Sequence, residues 1–584
     1  MHDAKKKQDL FALPGATQCK VSCLCWQDIR RAFVEEGITE TMRKNESPQG
    51  HLGLLMFLLL ILASLLGTPG CGGGSSSSSV SGGGGGGGGG GTGNAAPCIF
   101  TPSISTTTTG AGLNTVVGEH YFGMHLNSTN APWPYYIVGG SRQPLPFASQ
   151  RLWAAGVDWA EVNTASDVFN WTGAPQNMDT WMSEGQAHPP VDMLYTLAYT
   201  PNWASSEPND TTCSNASREG GGECDPPLDL NSDGSGTNAI WIAWVTAAAQ
   251  YSKAEKDAGA PGFSYYEIWN EFNSSVSWNP KYATTQQLVR MEQDARCVVE
   301  GPPPSIPNGC TVNGSVFPSG TAIDPTAKIV TPSPVGAAAG NNLGQVASSL
   351  ATYFSTQVPA GTGYFGGSFS DAIGFHGYVG TATAVGANAV PCPTPENVNI
   401  VMADLSSTLA QFPTITAGKP LFNTEGGWSQ APSEGFTDPA RQAAFLPRYL
   451  LLQESDNVSR VYWFAWDSKT DSSLYDDSTG QTTPAATAYA EVNQWTQGAT
   501  VSQACTAKGT VWTCGFTRSG GYSAVAVWDA GQDCTTSSCL TPTAFPATGY
   551  VDYRDVAGNV TQLNGASSVQ VGAQPILLET APLP

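Results

Sequence analysis

Charge is what this chain has least of. Only 12% of its 584 residues are Asp, Glu, Lys or Arg, about half the ~25% usual in soluble domains. Basic residues are scarcest: 25 Lys and Arg stand against 47 Asp and Glu, for a formal net charge of −22. Gripping phosphates needs clustered cations, so nucleic acid and anionic membrane surfaces are excluded as partners. A phosphate-cradling loop is missing too, since the long glycine tract has no strand, helix or Lys-Ser pair around it. Metal motifs are incomplete. Cys19, Cys23 and Cys25 have no fourth ligand at finger spacing. The stretch Asp229-Leu-Asn-Ser-Asp-Gly-Ser-Gly opens like a calcium loop, yet Ile240 stands where the closing Glu belongs. A turn that caps the following helix explains the same residues. No metal and no cofactor is expected.

What is present starts with an address. Leu52 to Leu66, LGLLMFLLLILASLL, is shorter than the ~20 apolar residues that span a bilayer. Met42-Arg43-Lys44 precedes it, and Gly67-Thr-Pro-Gly-Cys71 follows. A charged start, apolar middle and small-residue end make an export signal. Ending on Cys71, the segment resembles a bacterial lipoprotein signal, which implies lipidation of that Cys. Residues 1–41 do not fit in front of such a signal, and Met42 reads as the start of translation. Residues 72–95 form a Gly/Ser tether with no possible core. The protein is expected outside the cytoplasm, at the cell surface or in the periplasm, touching membrane only through its anchor. The remaining Cys pair plausibly as 213–224, 297–310, 505–514 and 534–539, leaving 98 with 392. Connectivity and oligomeric state are not fixed by sequence.

From residue 96 to 496, strand-like runs alternate with helix-length segments. The runs are His120–Asn127, Val157–Asn163 (with Arg151 before it), Asp192–Ala204, Phe263–Asn273, Lys328–Pro332, Ala372–Val379, Pro420–Glu425 and Arg460–Asp467. Helical patterns cover 239–258, 284–299, 344–357, 398–411, 439–454 and 485–495. Eight such units predict an α/β chain closed into a (β/α)8 TIM barrel. From 497 to 584, short Val/Thr/Tyr-rich runs separated by Gly, Asn and Pro predict a small C-terminal β-sandwich. It is read as an accessory domain, with a carbohydrate-binding module as the minority alternative.

Two runs carry the chemistry. FSYYEIWNEFN ends on Asn270, Glu271 and Asn273, and KPLFNTEGGWS on Glu425. A carboxylate at the carboxyl end of a buried barrel strand points to catalysis. A pair of them is what glycosidic cleavage needs. A gap of ~5–5.5 Å would retain configuration, and ~6.5–9.5 Å would invert it. Trp269-Asn270-Glu271 with Asn273, together with Thr424-Glu425-Gly426, resembles clan A of the glycoside hydrolases. Within it the chain is most similar to family 39, the β-xylosidase-like group, over roughly Phe122 to Leu577. Val168 to Gly185 resembles that family's segment after strand two, whereas Phe272 replaces its usual Pro. The resemblance implies Glu271 as acid/base, Glu425 as nucleophile, retained configuration, and Asn270 on the sugar 2-hydroxyl. Arg151 is expected to hold Glu425 ionised, and Tyr378 to orient it. His376, His125, Trp466 and Trp203 are candidate sugar contacts, the two Trp as stacking platforms. Alternatives are a family 5 or 30 glucanase-like or family 51 arabinofuranosidase-like specificity, or a non-catalytic carbohydrate-binding surface lipoprotein.

Overall fold

The computed structural model describes residues 105–584, apart from 174, 189–190, 311–321, 337–343, 362, 380–393, 429–435, 437, 469–471 and 535–542. The signal segment, Cys71, the tether and the proposed Cys98–Cys392 pair lie outside the described residues. Among the described residues, no helix is long and apolar enough to cross a membrane.

Eight strands form the barrel: β1 (Phe122–His125), β2 (Ser149–Leu152), β3 (Asp192–Leu197), β4 (Tyr265–Ile268), β5 (Lys328–Val330), β6 (Ile373–His376), β7 (Leu421–Gly426) and β8 (Val458–Trp463). All neighbours pair in parallel, in the order β6-β7-β8-β1-β2-β3-β4-β5. Parallel bridges Val330–Ala372 and Val335–His376 close β5 onto β6. Among the described residues, the longer helices around it are α1 (Met178–Ala187), α2 (Ala239–Asp257), α3 (Thr285–Val299), α4 (Gln345–Ser355), α5 (Val398–Leu409), α6 (Pro439–Ser455) and α7 (Pro484–Thr496).

The second strand is a correction. Val157 to Asn163, expected as a strand, contains the short helix Trp159–Val162. Glu161 Oε2 accepts the backbone N–H of Asp158 at 3.0 Å, the back-bond of an Asp-x-x-Glu capping box. The strand is instead Ser149–Leu152, with Arg151 on it; its four residues are all buried, and its polar sequence hides it from an apolar-run reading. The first crossover also has no helix. A hairpin of Tyr135–Val138 and Ser141–Pro144 takes its place. It turns at Gly139 and Gly140, whose φ of 57° and 79° suit glycine.

The barrel interior is layered, as period-two strands require. Near the amino ends, Leu194, Val330, Ala372, Phe422 and Tyr462 pack together. The Arg460 guanidinium lies over the Tyr265 ring at 4.6 Å and reaches Asp192 at 2.6 Å. Two residues further along β2, β3, β4 and β7, the layer above is polar: Arg151, Thr196, Glu267 and Thr424, all buried.

The carboxyl-terminal strands, from Thr500–Lys508 to Ile576–Glu579, form a six-stranded antiparallel sheet, with the pair Thr543–Pro546 and Ser568–Val571 beside it. This is the expected sandwich. Residues 107 and 116 bridge to its first strand at Thr506 and Thr500. Disulfides Cys213–Cys224, Cys297–Cys310 and Cys505–Cys514 form as anticipated. Cys534 is also disulfide-bonded, and Cys539 lies outside the described residues.

Candidate active site

Glu271 and Glu425 meet at the carboxyl-end rim. Glu425 is on β7 itself, while Glu271 follows β4 by three residues. The backbone reaches it through Trp269 and Glu271, with φ of 73° and 44°. This left-handed region is costly for a side chain as large as Trp. It is held by burial of the indole, whose N–H donates to the Ser277 carbonyl at 2.8 Å. Ser274 N–H then turns back onto the Glu271 carbonyl at 2.8 Å. These bonds aim the Glu271 carboxyl inward.

Oxygens of Glu271 and Glu425 and a ring nitrogen of His376 all lie within 4.8 Å of one another. Glu425 is gripped on both oxygens. Arg151 Nη1 donates to Oε2 at 2.7 Å, and the Tyr378 hydroxyl donates to Oε1 at 2.8 Å. Arg151 Nη2 donates to Asn270 Oδ1 at 2.8 Å. His376 Nδ1 lies 3.1 Å from Glu271 Oε1, and its Nε2 lies 3.9 Å from Glu425 Oε2. Five of the sequence-predicted residues beside Arg151 therefore converge with it: Glu271, Glu425, Asn270, His376 and Tyr378.

The electrostatics separate the two carboxyls. Burial pushes Glu271 up to about 7, with Glu267 adding and Arg151 opposing. Burial also raises Glu425, but His376, Arg151 and the Tyr378 hydrogen bond pull it back. His376 is pushed down to about 4, first by burial. At neutral pH the last proton of the pair therefore rests on Glu271 and the charge on Glu425. A proton donor facing a carboxylate across a few ångströms can protonate a leaving oxygen and attack an anomeric carbon.

The other predicted contacts sit differently. His125, fully buried at the end of β1, packs edge-on against Phe464 at 4.6 Å. Burial, then Arg151, holds it well below the usual imidazole range. Trp203 is half-buried on the rim, its N–H on the Asn163 carbonyl at 2.8 Å. Trp466 is stacked on Tyr475 at 5.4 Å, donates to the Pro132 carbonyl at 2.8 Å, and has 0% of its surface exposed. In this conformation its ring offers no face to a sugar.

Support residues escaped the sequence reading. Asn423 accepts the Gly377 N–H at 2.9 Å and donates to the Tyr449 hydroxyl at 2.8 Å. Tyr449 in turn donates to the Gly377 carbonyl at 2.7 Å. Together they fix the turn that presents Tyr378. Glu267, under Arg151, is the other omission; a lone charge inside an apolar strand run was its signal. The Asp229 loop resolves as a cap. Its Oδ2 accepts the N–H of Ala239 at 2.5 Å and the Thr237 hydroxyl at 2.7 Å, at the start of α2.

The chain is similar in structure to several glycoside hydrolases. A family 39 glycoside hydrolase from Bacteroides cellulosilyticus aligns at 16% identity and a TM-score of 0.46, covering 74% of this chain and 75% of that one. A family 44 endoglucanase from Clostridium acetobutylium aligns at 12% and 0.43, covering 80% and 98%. A family 39 β-xylosidase from Caulobacter crescentus aligns at 14% and 0.42, covering 75% and 90%. No protein-family model and no curated sequence matches the chain.

Proposed function

We propose that this protein is a retaining glycoside hydrolase that cleaves β-glycosidic bonds in an oligo- or polysaccharide by double displacement. The observation that carries the reading is the carboxyl pair. Two acids from opposite arcs of the barrel, Glu425 buried and Glu271 partly buried, bring oxygens within 4.8 Å of each other, and their surroundings favour one protonated and one charged. Acids that approach this closely support the short spacing of retaining enzymes, ~5–5.5 Å, over the ~6.5–9.5 Å of inverting ones.

In this mechanism the Glu425 carboxylate attacks the anomeric carbon while Glu271 gives its proton to the departing oxygen. The bond from carbon to that oxygen breaks, and an ester to Glu425 forms. With the charge of Glu425 consumed, Glu271 is left ionised beside the ester. It then takes a proton from water, whose oxygen displaces Glu425 and restores the resting state. Asn270, oriented through its Oδ1 by Arg151, would offer its amide hydrogens to the sugar 2-hydroxyl. His125 and Trp203 would complete the pocket. Export and anchoring through lipidated Cys71 belong to the same proposal, placing the enzyme outside the cytoplasm on its tether.

The deciding experiment is a panel of aryl β-xyloside, β-glucoside and α-arabinofuranoside, offered to wild type and to Glu425→Ala. Hydrolysis by the wild type, abolished in the variant, supports the reading. No hydrolysis by either, with sugar binding retained, would make the chain a carbohydrate-binding protein.

A further inference from the structure

We propose that Glu267 is the positioning residue of this site: it fixes the Arg151 guanidinium so that one nitrogen meets Glu425, and it balances that cation so that Glu271 stays an acid. The inference rests on the hydrolase reading above. Glu267 is fully buried on β4, one layer below the carboxyl pair. Its Oε2 accepts Arg151 Nε at 2.9 Å and the Thr196 hydroxyl at 2.6 Å, and lies in ion-pair contact with Arg151 Nη2 at 2.7 Å. Its Oε1 accepts the Ser333 hydroxyl at 2.5 Å, and Ser333 accepts from Thr424 at 2.8 Å. Room for Ser333 is made by Gly374, where a Cβ would come within 2.2 Å of the Ser333 oxygen. Strands β2, β3, β6 and β7, with the Ser333 segment beyond β5, thus all contribute to holding one carboxylate on β4.

A buried carboxylate with three donors, one of them a guanidinium, is ionised. Burial pushes Glu267 up, but Arg151, His376, Ser333 and Thr196 together bring it below the usual range. The consequence falls on Arg151. Nε is claimed by Glu267 from below and Nη2 by Asn270, so the planar fork turns Nη1 toward Glu425. Charge matters as much as geometry. The titratable groups facing Glu271 are His376 from β6, Arg151 from β2, Glu425 from β7, Glu267 from β4 and Tyr199 beyond β3. Arg151 draws the Glu271 proton off and Glu267 offsets it. An unbalanced guanidinium would ionise both acids and leave no proton for the leaving group.

The test is Glu267→Gln, which keeps shape and removes charge. The expected result is an alkaline limb of kcat/KM shifted acidward by about one unit. With it, kcat falls roughly 10- to 100-fold at a nearly unchanged KM. Glu267→Asp keeps the charge and should return the limb to its wild-type position while kcat stays low. Independently, the Glu271 carboxyl can be followed by 13C NMR, its resonance identified by its loss in Glu271→Gln. It should titrate about one unit lower in Glu267→Gln. A limb and a Glu271 titration that do not move, with only thermal stability reduced, would overturn the proposal. If Glu267→Gln does not fold, Glu267→Asp decides: an unchanged kcat overturns it. A wild type inactive on every glycoside would sink the hydrolase reading alone, since the Glu271 titration still decides this one.

Discussion

Glu271 and His376 share one hydrogen bond of 3.1 Å in which neither partner is charged over much of the acidic range. With the carboxyl near 7 and the imidazole near 4, the proton between them belongs to Glu271. His376 Nε2, the other ring nitrogen, lies 3.9 Å from Glu425 Oε2, so the one imidazole faces both acids. The two groups titrate as a unit with the rest of the site.

The first prediction concerns pH. The acid must be protonated, so kcat/KM should fall as pH rises through about 7. Ionisation of Glu425 sets the acidic limb. Glu271→Gln should remove the alkaline limb. The same shift bears on stability. A carboxyl raised on folding is neutral in the native state while its unfolded counterpart ionises, so stability declines from about pH 4.5 to 7 and is level above. Glu271→Gln should therefore be more stable than wild type at pH 8, by ~1–3 kcal/mol, and less so at pH 5. Thermal melts at the two pH values check this.

Chemical rescue separates the two roles. Glu425→Gly should lose at least ~10⁴-fold in kcat, and azide should restore turnover with an α-glycosyl azide as product. Glu271→Ala should lose ~10²- to 10⁴-fold, least with an activated aryl leaving group. Azide should there give the β-glycosyl azide. The anomeric configuration, read by proton NMR, would be reversed if the roles were exchanged.

Arg151→Lys should behave as a severe change. An ammonium cannot serve Glu267, Glu425 and Asn270 together as the planar fork does. We expect kcat to fall ~10²-fold or more. Arg151→Met, which strands Glu267 without its cation, should cost ~3–5 kcal/mol by urea denaturation.

The Cys213–Cys224 bridge closes the loop after β3 on itself, and next to the bridge that loop is hydrogen-bonded to the turn that follows Glu271. The N–H of Asn279 meets the Cys224 carbonyl at 3.0 Å, and that of Ser214 meets the Val276 carbonyl at 3.0 Å. Replacing both Cys by Ser should cost ~2–3 kcal/mol and lower kcat/KM at temperatures well below the melt. Activity unchanged at those temperatures would mean the bridge serves stability alone.

The site was legible where chemistry interrupts a hydrophobic pattern. Glu271 and Glu425 each close an apolar run, so their position at strand ends could be read directly. Strand β2 could not, because Ser-Gln-Arg-Leu owes its burial to the polar centre of the barrel, which only the closed fold creates. Glu267 stood in plain view inside FSYYEIWNEFN. Its partners Thr196 and Ser333 carry no motif and meet it only through strand register. Trp466 shows the reverse error: a strand-end Trp reads as a platform, while packing on Tyr475 encloses it.

Residues 108–112 lie against the junction of α6 and β8. Thr108 meets Ser455 at 2.6 Å, and Gly112 N–H meets the Ser455 carbonyl at 2.9 Å. That junction is on the barrel's floor, the end remote from Glu271 and Glu425. Residues 108–112 thus brace the underside of the catalytic body, at the end of the barrel opposite the two acids.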